Sequence, residues 1–274
     1  MLRAAHGDSA VLYAGGTELL LAMKEGLGSF EHLIDVKTIV GLDGLTLDAG
    51  GALGIGATVT HRQLERSRLI REGFPLLAEM ARQVANARVR AVGTLGGNLC
   101  FGEPHSDPPT ALLVHDATVT LHRAADHRRL SLADFVVGPY ETTLAGDEIL
   151  TSIDVPPLPA RAFGAYLKFG MHERPTVAVA ALIVVHEGAT HVSEARVAVG
   201  CVGPVATRLP ALESQLSGVA IAALQNGFAA AGSAGTSLDA VSDLHGSAAY
   251  KRHLASVFVK RALAAAATRA RTAA

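Results

Sequence analysis

The chain of 274 residues carries 24 basic against 25 acidic side chains, a net charge of −1, and 49% apolar residues. Without a dense basic run it has no electrostatic footprint for nucleic acid, and its longest purely apolar run, Val177 to Val185, falls far short of the roughly 20 residues that span a bilayer. Cys100 and Cys201 are too few for a disulfide framework or an iron–sulfur cluster of the chain's own, and Arg3, His6 and Asp8 interrupt any signal-peptide core, so the expected location is the cytoplasm.

The apolar run Ala10 to Tyr13 reads as a strand ending in the turn Ala14-Gly15-Gly16-Thr17-Glu18. Leu19, Leu20 and Met23 then give a short helix stopped at Gly26, and Leu33 to Val36 a second strand. Strand, glycine turn and helix start is a phosphate-cradling arrangement; a glycine doublet alone is also an ordinary turn. Leu42 to Val59 predicts strands joined by Asp48-Ala49-Gly50-Gly51. Within it, Gly54-Ile55-Gly56 fails as a dinucleotide fingerprint, because Val59 stands at the third glycine position and Thr58-Val59 continues the strand.

Thr60 and Gln63 have capping-box spacing for a helix through about Ser67. Pro75 opens another, with Leu76, Leu77, Met80, Ala81 and Val84 on one face. Its end carries Asn86, Arg88 and Arg90; the two arginines read either as neutralisers of a diphosphate or as solvated helix-end charges. Next comes the densest run of small polar residues, Gly93-Thr94-Leu95-Gly96-Gly97-Asn98, continuing through Pro104-His105-Ser106-Asp107-Pro108-Pro109. It reads as a ligand loop too irregular to be core, with glycines that leave backbone N–H groups bare for phosphate. Thr94, Asn98 and Ser106 add short hydrogen-bonding groups, and Asp107 is either an acceptor for sugar or polyol hydroxyls or a helix-cap carboxylate. Two such glycine turns, each before a helix start, point to a long ligand with a diphosphate in its middle. Cys100 reads as a cofactor contact or as a buried inert thiol.

Thr110 to His115 predicts a helix, Ala117 to Leu121 a strand, Ser131 a helix cap, and Ile149 to Val155 a strand ending at the proline cluster 156–159, the best domain boundary. Beyond it, His172-Glu173-Arg174 reads as a turn, and Val177 to Val185 and Val192 to Gly200 as strands paired around Glu187-Gly188. Ala229 to Ser237 reads as a loop between helices, and Ala248 to Ala270 as a long helix packed through Leu254, Val257, Phe258 and Leu263. Three adjacent residues, His105-Ser106-Asp107, cannot form a catalytic triad, no nucleophile elbow exists, and the 12 histidines do not fall at metal-ligand spacing.

Ala14 to Leu20 with Met23-Lys24, and Val89 to Asn98, resemble the two FAD motifs of the flavin subunit of molybdenum hydroxylases, a family that includes the carbon monoxide dehydrogenase medium subunit and the xanthine dehydrogenase FAD domain. The likeness extends through 106–109, Tyr166-Leu167-Lys168-Phe169, Gly200 to Pro204 and Tyr250 to Leu254, and covers nearly the whole chain. It implies an α+β chain: a two-part FAD-binding domain of the PCMH/vanillyl-alcohol-oxidase type over 1–158 (subdomains about 1–50 and 51–158), then a smaller domain over 159–274 with a three-stranded antiparallel sheet and helices. It implies one FAD, with Leu12, Tyr13, Ala14, Gly15, Gly16, Thr17, Glu18 and Leu19 at the first motif. Gly93, Thr94, Leu95, Gly96, Gly97 and Asn98 supply the second, with Ser106 and Asp107 toward hydroxyls, Leu150 near the flavin ring and Lys168 on the cofactor. No catalytic acid, base, nucleophile or metal ligand is expected from this chain.

The same resemblance places a molybdenum cofactor in a large partner subunit and two-iron two-sulfur clusters in a small one, the assembly being a dimer of three-chain units. FAD then gathers single electrons and hands pairs to quinone, NAD or dioxygen. Two other readings of the residues stand beside it: an independent FAD-dependent oxidoreductase of the same fold, and a cofactor-free structural subunit.

Overall fold

The computed structural model describes residues 5–170, 174–188 and 190–273. Strands β1 (Ala10–Tyr13) and β2 (His32–Asp35) pair in parallel, with Val11 opposite Leu33, and the connection between them includes the short helix Leu19–Lys24. The second strand begins one residue earlier than Leu33, and the Val36 amide extends the pairing by donating to Tyr13 O.

β3 (Leu45–Leu47) and β4 (Leu53–Gly56) are joined by a turn that Asp48 closes, its Oδ1 accepting from the amides of Gly50 and Ala52, each at 2.8 Å. With β5 (Thr118–Arg123), β6 (Asp126–Ser131) and β9 (Ile149–Val155) they form an antiparallel sheet in the order β3-β4-β9-β5-β6. Between β6 and β9 lie the short helix Leu132–Phe135, capped by Ser131, and a hairpin of β7 (Val136–Gly138) and β8 (Glu141–Thr142). Thr60 makes the capping box, accepting from Gln63 N at 3.2 Å while Gln63 Oε1 accepts from Thr60 N at 2.7 Å, and the helix runs over His61–Arg66. Helix Pro75–Gln83 buries Leu76, Leu77, Met80 and Ala81 as its periodicity predicts.

The second part of the chain holds β10 (Ala162–Phe169), β11 (Val177–Val185), β12 (Val192–Gly200) and β13 (Thr207–Arg208) in one antiparallel sheet. The sheet has four strands where three were expected; the fourth is two residues long, opposite Ala198 and Val199, too short to leave a period-2 pattern. β11 is buried along its whole length because its two faces serve different cores. Ala178, Ala180 and Leu182 pack with the five-stranded part, whereas Val177, Val179, Ala181 and Ile183 pack under helix Ala248–Thr272. Burial on both faces explains why this strand reads as an unbroken apolar run. Ala229 to Ser237, expected as a loop, is a 3-10 helix with Ala231 and Ala234 buried. His172 and Glu173 of the expected turn lie outside the described residues.

Candidate functional site

The first glycine turn leaves β1 at Tyr13 and bends through Gly16 at φ +70°, a conformation that favours glycine. Among the described residues, the amides of Gly15, Gly16, Thr17 and Glu18 donate to nothing, which leaves four consecutive N–H groups for an anion. Lys37 braces the turn from outside, its Nζ donating to Ala14 O at 3.0 Å and lying 4.0 Å from the centre of the Tyr13 ring.

The second glycine run is not an irregular loop. Thr94 caps a helix over Leu95–Phe101, accepting from Gly97 N at 3.1 Å, and Leu95 and Leu99 are fully buried. Nor are its amides bare: Leu95 N donates to Val59 O and Gly96 N to Ala57 O, both at 2.9 Å, and Asn98 N to Thr94 O at 3.0 Å. The glycines serve close approach instead. A Cβ on Gly96 would lie 2.7 Å from Ala57 O, and one on Gly15 would lie 2.2 Å from Val92 O and 2.8 Å from Gly93 Cα. The two glycine motifs therefore touch backbone to backbone.

Where they meet opens a cleft of about 310 Å³. Leu12, Gly15, Gly16, Thr17, Glu18 and Leu19 line it from the first motif, Thr94, Gly96, Gly97 and Asn98 from the second, and Ser106, Asp107 and Leu150 from beyond. Five expected residues do not line it: Tyr13, Ala14, Gly93 and Leu95 support the turns, and Lys168 reaches Asp107 instead. Asp107 is 4% exposed, accepts from Tyr166 Oη at 2.5 Å and pairs with Lys168 Nζ at 3.0 Å. It is no helix cap by side chain. Burial pushes its carboxyl up, and the Lys168 charge with the Tyr166 hydrogen bond opposes that only in part. Ser106 Oγ donates to Asn98 Oδ1 at 2.6 Å, joining the capped helix to the Asp107 segment. Arg90 is neither solvated nor aimed at a diphosphate, since it donates to Glu65 at 3.1 Å and to the carbonyls of Val84 and Ala85 at 3.0 and 3.2 Å.

A slot with free amides at its glycine end, a buried carboxylate, and an aliphatic wall of Leu12, Val36, Ile149 and Leu150 has the donor set for a diphosphate, hydroxyls and a flat ring. Residues 1–158 match the family described as the FAD-binding domain in molybdopterin dehydrogenase, and residues 169–266 match the CO dehydrogenase flavoprotein C-terminal domain. The chain belongs to this FAD-binding family.

This flavin subunit is 34% identical to the carbon monoxide dehydrogenase medium chain of Hydrogenophaga pseudoflava, over 95% of this chain and 90% of that one. It is 31% identical to the nicotine 6-hydroxylase medium subunit of Paenarthrobacter nicotinovorans, over 96% and 91%. Among solved structures, it resembles carbon monoxide dehydrogenase from Hydrogenophaga pseudoflava in a form lacking the Mo-pyranopterin moiety, with a TM-score of 0.90 and 35% identity over 98% of this chain and 93% of that one. It also resembles the cyanide-inactivated Cu,Mo-CO dehydrogenase, with a TM-score of 0.90 and 28% identity over 98% and 93%. The first of these structures is of a molybdenum-cofactor enzyme and the second of a copper- and molybdenum-containing one, and this chain is the flavin subunit of a multi-subunit oxidoreductase.

Several lining residues of the flavin subunit were not legible as such. Thr58 and His61 are buried against the cleft, and Thr58 Oγ1 and His61 Nδ1 have no partner among the described residues. Burial, then the charge of Arg90, hold His61 at a pKa of about 4, so the ring is neutral at pH 7. Arg174 crosses from the far side to Glu18 at 2.8 Å and to Glu103, which also accepts from Tyr140 Oη at 2.7 Å. His105 donates from Nδ1 to Pro175 O at 2.8 Å, and its Nε2 lies 2.9 Å from Asp243. Burial works against the Asp243 charge, yet hydrogen bonds from Lys251, the His245 amide and His105 hold its carboxyl at about 2. Glu18, His105 and Arg174 fall in stretches the sequence singles out, and the Thr60–Gln63 capping box flags the neighbourhood of His61; the contacts themselves leave no local signal. Among the described residues no His, Cys, Asp and Glu group could hold a metal, and no helix is long and apolar enough to cross a membrane.

Proposed function

We propose that this flavin subunit carries electrons from the iron–sulfur clusters of a small partner subunit, through its FAD, to an external acceptor such as quinone, NAD or dioxygen. In this reading a large partner subunit oxidises the substrate at a molybdenum cofactor, the assembly is a cytoplasmic dimer of three-chain units, and the cofactor-binding domain ends at residue 158. The observation that carries the reading is the contact between the glycine turns: Gly15 lies against Val92 and Gly93 and so brings to one cleft four amides that donate to none of the described residues. FAD supplies a ring that accepts electrons singly or in pairs. The chain's own part is to hold that ring. The amides of Gly15 to Glu18 take the diphosphate, Asp107 accepts from hydroxyls, and Leu150 packs on the ring. No acid or base is required of this chain for substrate hydroxylation.

Co-purification of the complex, with metal analysis and anaerobic mixing with an acceptor, tests this reading. Expected are molybdenum and iron in co-purifying chains, and flavin bleaching by substrate that the acceptor reverses. A purified chain that stays colourless after incubation with FAD refutes it.

A further inference from the structure

Asp107 depends on two side chains that project from one strand face. Tyr166 and Lys168 are two residues apart on β10, so both point toward the carboxylate while Leu167 packs on the opposite side. Tyr166 is fully buried, and a buried phenol needs an acceptor; its hydroxyl finds Asp107 Oδ1 at 2.5 Å. Lys168 Nζ is fixed between Gln83 O at 2.6 Å and Asp107 at 3.0 Å.

We propose that Tyr166 is a positioning residue for FAD: with Lys168 it fixes the Asp107 carboxylate so that its remaining lone pairs face the cleft. The inference rests on the reading of Asp107 as acceptor for FAD hydroxyls. An ionised carboxylate offers about four lone-pair sites, and the two side chains on β10 occupy only part of them. Among the described residues, the further ionisable group facing Asp107 is Cys201, whose Sγ lies 3.7 Å from Ser106 O and whose thiol burial pushes well up, so it stays neutral; Lys251 acts on that thiol from beyond. The Tyr166 hydroxyl is likewise raised far above its ordinary range, by burial first, and remains a donor. Because burial raises Asp107 and the Tyr166 hydrogen bond lowers it, loss of that bond makes the carboxyl take up its proton at higher pH.

The test is FAD titration of the full-length apo-chain by flavin fluorescence from pH 5 to 9. For the natural chain, affinity falls on the acid side as Asp107 protonates. Tyr166→Phe is expected to weaken binding ~10-fold at pH 7 and to move the acid midpoint upward. Asp107→Asn is expected to weaken binding and abolish the acid limb, and Tyr166→Phe in that background moves no midpoint. If Tyr166→Phe weakens binding by one factor at every pH, or not at all, while Asp107→Asn behaves as expected, the positioning role is refuted and Asp107 keeps its own. If Asp107→Asn binds FAD like the natural chain, the reading of Asp107 falls and Tyr166 falls with it. Should Tyr166→Phe fail to fold, Lys168→Met takes its place: the same upward midpoint supports the clamp, and an unmoved midpoint overturns it.

Discussion

Substituting Gly15 by alanine tests the backbone contact on which the cleft depends. The added Cβ would come 2.2 Å from Val92 O, 2.9 Å from Val92 C and 2.8 Å from Gly93 Cα, all backbone atoms without a rotamer to yield. Restoring ordinary contact requires the two glycine motifs to separate by about 1 Å, an overpacking strain of ~1–3 kcal/mol. That strain falls on the cleft, because the contact lies at its glycine end, whereas the two large cores lie elsewhere. If the strain is expressed in cofactor binding, the FAD Kd rises by about 5- to 150-fold. The assay is FAD titration by fluorescence quenching, with circular dichroism melting to follow the fold. Gly73→Ala is the control, since nothing lies within 4 Å of its added Cβ. A Kd within twofold of the natural chain, with an unchanged melting temperature, refutes the argument that the turns must touch to hold the cofactor.

Three further outcomes are expected. Gly97→Val places a Cβ 2.7 Å from Thr94 Oγ1 and disturbs the cap bond, a loss of about 1 kcal/mol that the fold survives; flavin absorbance per chain is expected to fall sharply. His61 and His115 are buried and held neutral at a pKa of about 4, in each case chiefly by burial. Their folded pKa lies below the unfolded value, so stability is complete above about pH 6.5 and is lost as pH falls toward 4, by on the order of 3 kcal/mol each. Urea unfolding at pH 7 and pH 5 checks the sign, which a higher midpoint at pH 5 would contradict. Glu79 accepts from both terminal nitrogens of Arg269 at 2.9 Å and from Tyr166 N at 3.2 Å, tying the last helix to helix Pro75–Gln83. Glu79→Ala is expected to cost about 2 kcal/mol in urea unfolding, discounted for the partial exposure of Arg269.

Strands β9, β11 and β12, the Thr60 capping box and the Ser131 cap follow from local rules, and each stands where its residues predict. The second glycine run misleads for a local reason too. Leu95-Gly96-Gly97-Asn98 has poor helix propensity, and it becomes helical because Thr94 caps it and Leu95 and Leu99 are buried. Lys168 is expected on the cofactor only from the family resemblance; its pairing with Asp107, 61 residues away, leaves no local signal in the sequence. Arg174 meets Glu18 across 156 residues, a separation at which no periodicity or spacing carries information.

By itself, the sequence determined the long strands, the side-chain-capped helices at Thr60 and Ser131, the two glycine motifs and the kinship, because caps, turns and period-2 burial act between residues a few positions apart. Tertiary structure alone decided which polar atoms are used up and which stay free. The amides of the second motif were consumed by Val59 and Ala57, and those of the first were left to the cleft. That division depends on which backbone can approach which, and the approach is set by the packed fold rather than by any single stretch of chain.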